Sequence, residues 1–106
     1  MFAVGDPIIV VARVVRAVGD LRRARAAGAV ERAVDTAHAR ADFRILDVGV
    51  TGRRGDHALQ LVVEADDRIA LARGMQGFQV AAARALNALS ARRGTVFADR
   101  YKIVRR

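Results

Sequence analysis

Apolar residues recur along the chain with two spacings, in stretches dense in β-branched residues that alternate with stretches stepping by three or four. Pro7 to Arg16 (Pro-Ile-Ile-Val-Val-Ala-Arg-Val-Val-Arg) is the first of the β-branched kind, and Pro at its start is where a strand tolerates it. Its near-continuous apolar character predicts burial on both faces. Asp20 is placed to cap a helix whose Ala26, Val30, Ala33, Val34, Ala37 and Ala41 recur at helical spacing, with Arg22, Arg25, Arg32, Asp35 and Arg40 on the opposite side. Gly28 weakens that helix by about 1 kcal/mol relative to Ala and marks a point where it can break.

A second strand is expected from Phe43 to Thr51. The turn Gly52-Arg53-Arg54-Gly55-Asp56 then reverses the chain into a third, His57 to Ala65, forming a hairpin. In this third strand Leu59, Leu61 and Val63 share one face, the better candidate for the core. Asp66 or Asp67 then caps the strongest helix, carried by Leu71, Met75, Phe78, Ala82, Leu86 and Leu89, opposite Arg73, Gln76, Arg84 and Asn87. Gly94 closes the helical region, and Thr95 to Val104 supplies a fourth strand. The order β-α-β-β-α-β predicts an α+β, ferredoxin-like fold: a four-stranded antiparallel sheet with two helices on one face, in a single domain spanning residues 1–106.

Composition narrows the class of protein. The 106 residues are 53% hydrophobic and 28% charged, which excludes a disordered tail. Zero cysteines exclude disulfide scaffolds, thiol nucleophiles and Cys-based zinc sites. The longest apolar run, Pro7 to Ala12, is far short of a membrane span, and no signal-peptide pattern opens the sequence, so a cytoplasmic location is expected. Net charge is +8, and 18 of the 19 cations are Arg, Lys102 being the exception. Arginine's planar fork suits phosphate and stacks on bases. The 22 alanines beside a single lysine also fit a composition that favours Arg throughout.

The catalytic inventory is poor. One serine (Ser90), two histidines (His38, His57), two glutamates (Glu31, Glu64) and one tyrosine (Tyr101) assemble no Ser/His/Asp set, metal pair or phosphate loop at standard spacing. His38 reads as a surface or boundary residue and His57 as a solvated strand end. His57 and Gln60 are three apart on a strand and face opposite ways, so they cannot share a metal. Gly74 and Gly77 suggest close packing of another element against the second helix.

The run Leu61-Val62-Val63-Glu64-Ala65-Asp66-Asp67, then Ala70-Leu71-Ala72-Arg73-Gly74-Met75-Gln76-Gly77, Ala85-Leu86-Asn87 and Arg92-Arg93-Gly94-Thr95-Val96-Phe97-Ala98-Asp99-Arg100-Tyr101, resembles the REP-associated tyrosine transposases. These are single-strand transposases with a His-hydrophobe-His metal site. A weaker likeness runs back through Ala41-Asp42-Phe43-Arg44 and Asp20-Leu21-Arg22-Arg23, so the resemblance covers residues 20–101. It implies the same ferredoxin-like core. It also implies that the two metal-binding histidines of the family fall at Ala58 and Gln60, a degenerate metal site. The family's nucleophilic tyrosine lies on a helix after the fourth strand, and the sequence ends at Arg106; Tyr101 matches a strand motif instead.

The resemblance thus implies a catalytically inactive transposase-like domain, not an enzyme, with no cofactor or metal. Two functional readings follow. In the first, the domain binds nucleic acid, single-stranded or hairpin DNA, through Arg53, Arg54, Arg73, Gln76, Arg84, Asn87, Arg92, Arg93, Arg100 and Tyr101. Its motivation is the net charge, the Arg-Arg pairs at 22/23, 53/54, 92/93 and 105/106, and a ring, Tyr101 or Phe97, able to stack on a base. In the second, it is a protein-interaction or dimerisation module that regulates a partner without binding nucleic acid, through sheet edges rich in Val and Ile on the first and fourth strands. A homodimer is expected, and a salt-insensitive one would favour the second reading.

Overall fold

The computed structural model describes residues 6–53 and 55–105. Its elements run β1 (Ile8–Arg13), a 3-10 turn (Arg16–Val18), α1 (Ala24–Ala37), β2 (Phe43–Thr51), β3 (Ala58–Ala65), α2 (Arg68–Leu89) and β4 (Lys102–Arg105). The strands form one antiparallel sheet in the order β2-β3-β1-β4. Both helices lie on one face of it, giving the ferredoxin-like fold that the pattern of spacings predicts.

Alternation explains the core. Ile8, Val10 and Ala12 of β1, Leu59, Leu61 and Val63 of β3, and Phe43 and Ile45 of β2 all turn to the helices and are at most 5% exposed. Ala26, Ala29, Val30 and Ala33 of α1 and Leu71, Met75, Phe78, Ala82 and Leu86 of α2 close over them. The small side chains of α1 let the two helices pack against each other at short range. Asp67 caps α2, its carboxylate accepting from the Ala70 amide at 2.7 Å. Asp67→Ala should cost about 1 kcal/mol, measured by urea unfolding.

Several expectations need correction. β1 is buried on its helix-facing side only; Ile9 and Val11, on the other face, are half-buried because no layer covers that side. It is also an interior strand, paired with β3 on one flank and β4 on the other, so it offers no free edge. Asp20 does not cap α1. Its carboxylate accepts from the Arg22 amide at 2.9 Å in a turn that buries Leu21 completely, and the helix starts three residues later, after Arg23, with no side-chain cap. Ala41 is exposed and lies beyond α1.

The fourth strand is much shorter than Thr95 to Val104. Val96 to Ala98 do run beside β1, through Val15 N–H to Val96 O and Ala98 N–H to Arg13 O. Lys102 follows Ala98 by four positions, where a step of two would match that from Arg13 to Val11, so the chain bends out before pairing resumes. Asp99 in that bend meets Arg13 at 3.0 Å.

Gly28 causes no break in α1. A methyl group there would meet only the Arg32 guanidinium at an ordinary 3.5 Å, so Gly28→Ala should stabilise the protein by about 0.5–1 kcal/mol in the same unfolding assay. Gly74 is different: it lies buried on α2 directly over the ring of Phe43, the close approach expected from sequence. Gly77 faces open space.

Candidate nucleic-acid interface

The antiparallel order brings the end of β1, the start of β3, the start of α1 and the end of α2 to the same end of the molecule. There the segment from Arg16 to Arg23 is locked against the β2–β3 turn. The Arg22 guanidinium donates to Gly52 O at 3.0 Å and to Val50 O at 3.2 Å. The Arg16 side chain lies across Gly55, whose backbone has a φ of +89°. Gly52, at φ +80°, has no room for a side chain against the Asp56 carbonyl, so the turn requires glycine there.

His57 fastens this end from below. It is 4% exposed, the one buried polar side chain among the described residues, and its Nε2 lies 3.3 Å from the Asp20 carboxylate. Its carbonyl accepts from the Val14 amide at 2.9 Å. The expectation of a solvated strand end is therefore wrong: Asp20, brought over by the Leu21 turn, covers the ring. His57 joins two loops that carry arginines, and its Nδ1 is buried without a hydrogen-bond partner.

At the far side of the same end, α2 terminates in a small polar staple. Asn87 donates to Gly94 O at 3.0 Å, and Arg92 donates to Asn87 Oδ1 at 2.8 Å and Thr95 O at 3.1 Å. These bonds tie the Gly94 and Thr95 carbonyls back to α2, while the carbonyl of Asn87, one of those a helix end leaves unpaired, accepts from the Ser90 and Arg92 amides. Asn87 is thereby engaged within the fold, while Arg92 keeps its charge uncancelled by any carboxylate in these contacts.

Charge is divided unevenly between the two ends. Among the described residues, Arg13 to Arg25, Arg53 and Arg92 to Arg100 contribute nine arginines to this end against three aspartates, Asp20, Asp56 and Asp99. The remainder carries eight cations and eight carboxylates. Two of those pairs are direct, Arg40 with Asp42 at 3.0 Å and Arg44 with Glu64 at 2.8 Å. The net positive charge of the described chain is thus concentrated at one end.

The residues singled out from sequence do not form one surface. Arg53, Arg92, Arg93 and Arg100 gather at the basic end. Arg73 and Gln76 are exposed on the first half of α2, about 16 Å and about 12 Å along the helix from Arg84 by the rise of 1.5 Å per residue. Arg84 stands instead across a shallow interhelical groove from Arg32, over Ala33, Ala81 and Ala85. Tyr101 and Phe97 are half-buried against the core, so only part of each ring faces outward. Arg54 and Arg106 lie outside the described residues.

Arg16, Arg23 and Arg25, Arg22 as the lock and His57 as the fastener complete the basic end. Topology is the signal that finds them. In this strand order every loop after β1, between β2 and β3, and after α2 emerges at one end, so arginines in those loops can be pooled before any coordinates are known.

Ala58 and Gln60 point to the sheet face away from the helices, opposite Arg13 and Val11 of β1. Ala58 has no donor atom for a metal, and Glu64 on the same face is taken up by Arg44. Among the described residues no three His, Cys, Asp or Glu side chains converge on a point that could hold a metal ion. No described helix is long and apolar enough to cross a membrane. Neither family models, curated proteins nor solved structures give a match to this chain.

Proposed function

We propose that this protein binds nucleic acid through its basic end, with single-stranded or hairpin DNA as the ligand, and that it does so without cutting it. The observation that carries this reading is the segregation of charge. Nine arginines against three aspartates, on loops and the element ends beside them that are held in place by Arg22, His57 and the Asn87 staple, form a preorganised surface for a phosphate backbone. A protein whose arginines reflected composition alone would scatter its excess charge. The ligand class comes from the resemblance to REP-associated tyrosine transposases. Ala58 and Gln60 at the positions of that family's metal ligands favour recognition without strand cleavage.

Fluorescence anisotropy against a labelled hairpin, a scrambled single strand and a duplex, each at two salt concentrations, tests the reading. Preference for the hairpin or single strand, with affinity falling steeply as salt rises, is the expected result. Equal and weak binding to all three overturns it. The alternative, a dimerisation module, draws on the half-exposed row of Ile9, Val11 and Val62 on the helix-free face. It predicts a salt-insensitive dimer by light scattering and no DNA affinity.

A further inference from the structure

We propose that the free edge of β4 accepts an extended acidic peptide from another protein as a fifth strand of the sheet. The sheet has two edges, β2 and β4, and they are treated differently. Along β2 several of the outward backbone groups are met by side chains of the same molecule. His38 Nε2 stands 3.1 Å from the Ile45 amide and 3.0 Å from its carbonyl, engaging one or the other according to its tautomer. Arg22 occupies the carbonyls of Val50 and Gly52. A bulge at Leu46 interrupts the register between them. Such devices keep a sheet edge from pairing with another strand.

β4 has no such cover among the described residues. One flank pairs with β1, and no side chain hydrogen-bonds the backbone on the other. Ile103 and Val104, adjacent on the strand, are 46% and 61% exposed. The register shift on β4 falls at Val104 and leaves Lys102 and Ile103 regular.

Charge decides the occupant. From Arg100 to Arg106 the sequence holds four cations and no carboxylate. Asp99, just before it, is already paired with Arg13. Two copies joined edge to edge at β4 would set basic residues against basic residues, which disfavours self-pairing. An incoming strand that alternates acidic with β-branched residues fits instead. Lys102 lies opposite Val11, on the helix-free side, and Ile103 lies opposite Val10, on the helix side, so one period-2 strand can meet both.

The test uses a fluorescein-labelled eight-residue peptide alternating Glu with Val or Ile, and a second with every Glu replaced by Lys. The Glu peptide should bind about tenfold more tightly than the Lys peptide, with amide shifts in the protein confined to residues 102–105 and their β1 neighbours. The double variant Lys102→Glu, Arg105→Glu, checked for native circular dichroism, should reverse the preference. Arg53→Ala should leave peptide affinity unchanged, which separates this edge from the proposed DNA surface. Equal affinity for both peptides, shifts centred on β2, or a protein dimer with protected β4 amides would each overturn the proposal.

Discussion

Gly74→Ala is expected to destabilise the protein by about 2–3 kcal/mol, although alanine is the better helix former. Propensity alone would favour the substitution by about 1 kcal/mol, so the sign of the change reports which effect wins. The added methyl would enter the base of the Phe43 ring, and neither side can yield easily. Phe43 is fully buried and opens β2 in register with Ala65, while Gly74 lies within a continuous helix. For a domain of this size the loss corresponds to a fall in Tm of roughly 10–20 °C. Gly77→Ala, on open ground three residues away, should instead be neutral or stabilising. Adding Phe43→Leu to Gly74→Ala should recover part of the loss, the non-additivity expected of residues in contact. A Gly74→Ala protein as stable as the parent would mean that α2 does not approach β2 this closely.

The largest functional effect is expected from removing the basic end's arginines. The side chains of Arg16, Arg53 and Arg93 make no hydrogen bond or ion pair among the described residues, Arg16 only packing across Gly55, and replacing all three with Ala should flatten the slope of log affinity against log salt by about 2 units on single-stranded DNA. The informative control removes the same charge from the balanced end, through Arg40, Arg44 and Arg68. There a neighbouring carboxylate already cancels each of the first two, and the slope should hardly move. Equal losses in the two triple variants would show that only net charge matters. Anisotropy titrations at four or more salt concentrations give both slopes.

The elements with unbroken periodicity were legible from sequence. β2 ends where expected, and α2 starts at its expected acidic cap, because Leu61, Val63, Leu71, Met75 and Phe78 each place one face against the core. Misreadings cluster where the chain leaves that alternation. Asp20 resembles a helix cap, but burial of Leu21 outweighs the capping bond and draws Asp20 towards His57 instead. Val96 and Phe97 are apolar enough for a strand, yet the bend at Asp99 separates them from β4. Of the candidate site, the arginines themselves were plain, but not their partition. Whether Asn87 contacts a ligand or closes its own helix depends on Gly94 and Arg92 folding back, a tertiary event that local spacing does not encode.

The placement of charge at one end also fixes how the protein would stand on a polyanion. α2 spans about 33 Å at 1.5 Å per residue, most of the 39 Å long dimension, and the basic loops sit where it finishes. A molecule drawn down by that end stands upright, with a footprint set by its 25 × 22 Å cross-section rather than its length. Neighbours could then sit side by side along a strand at close intervals.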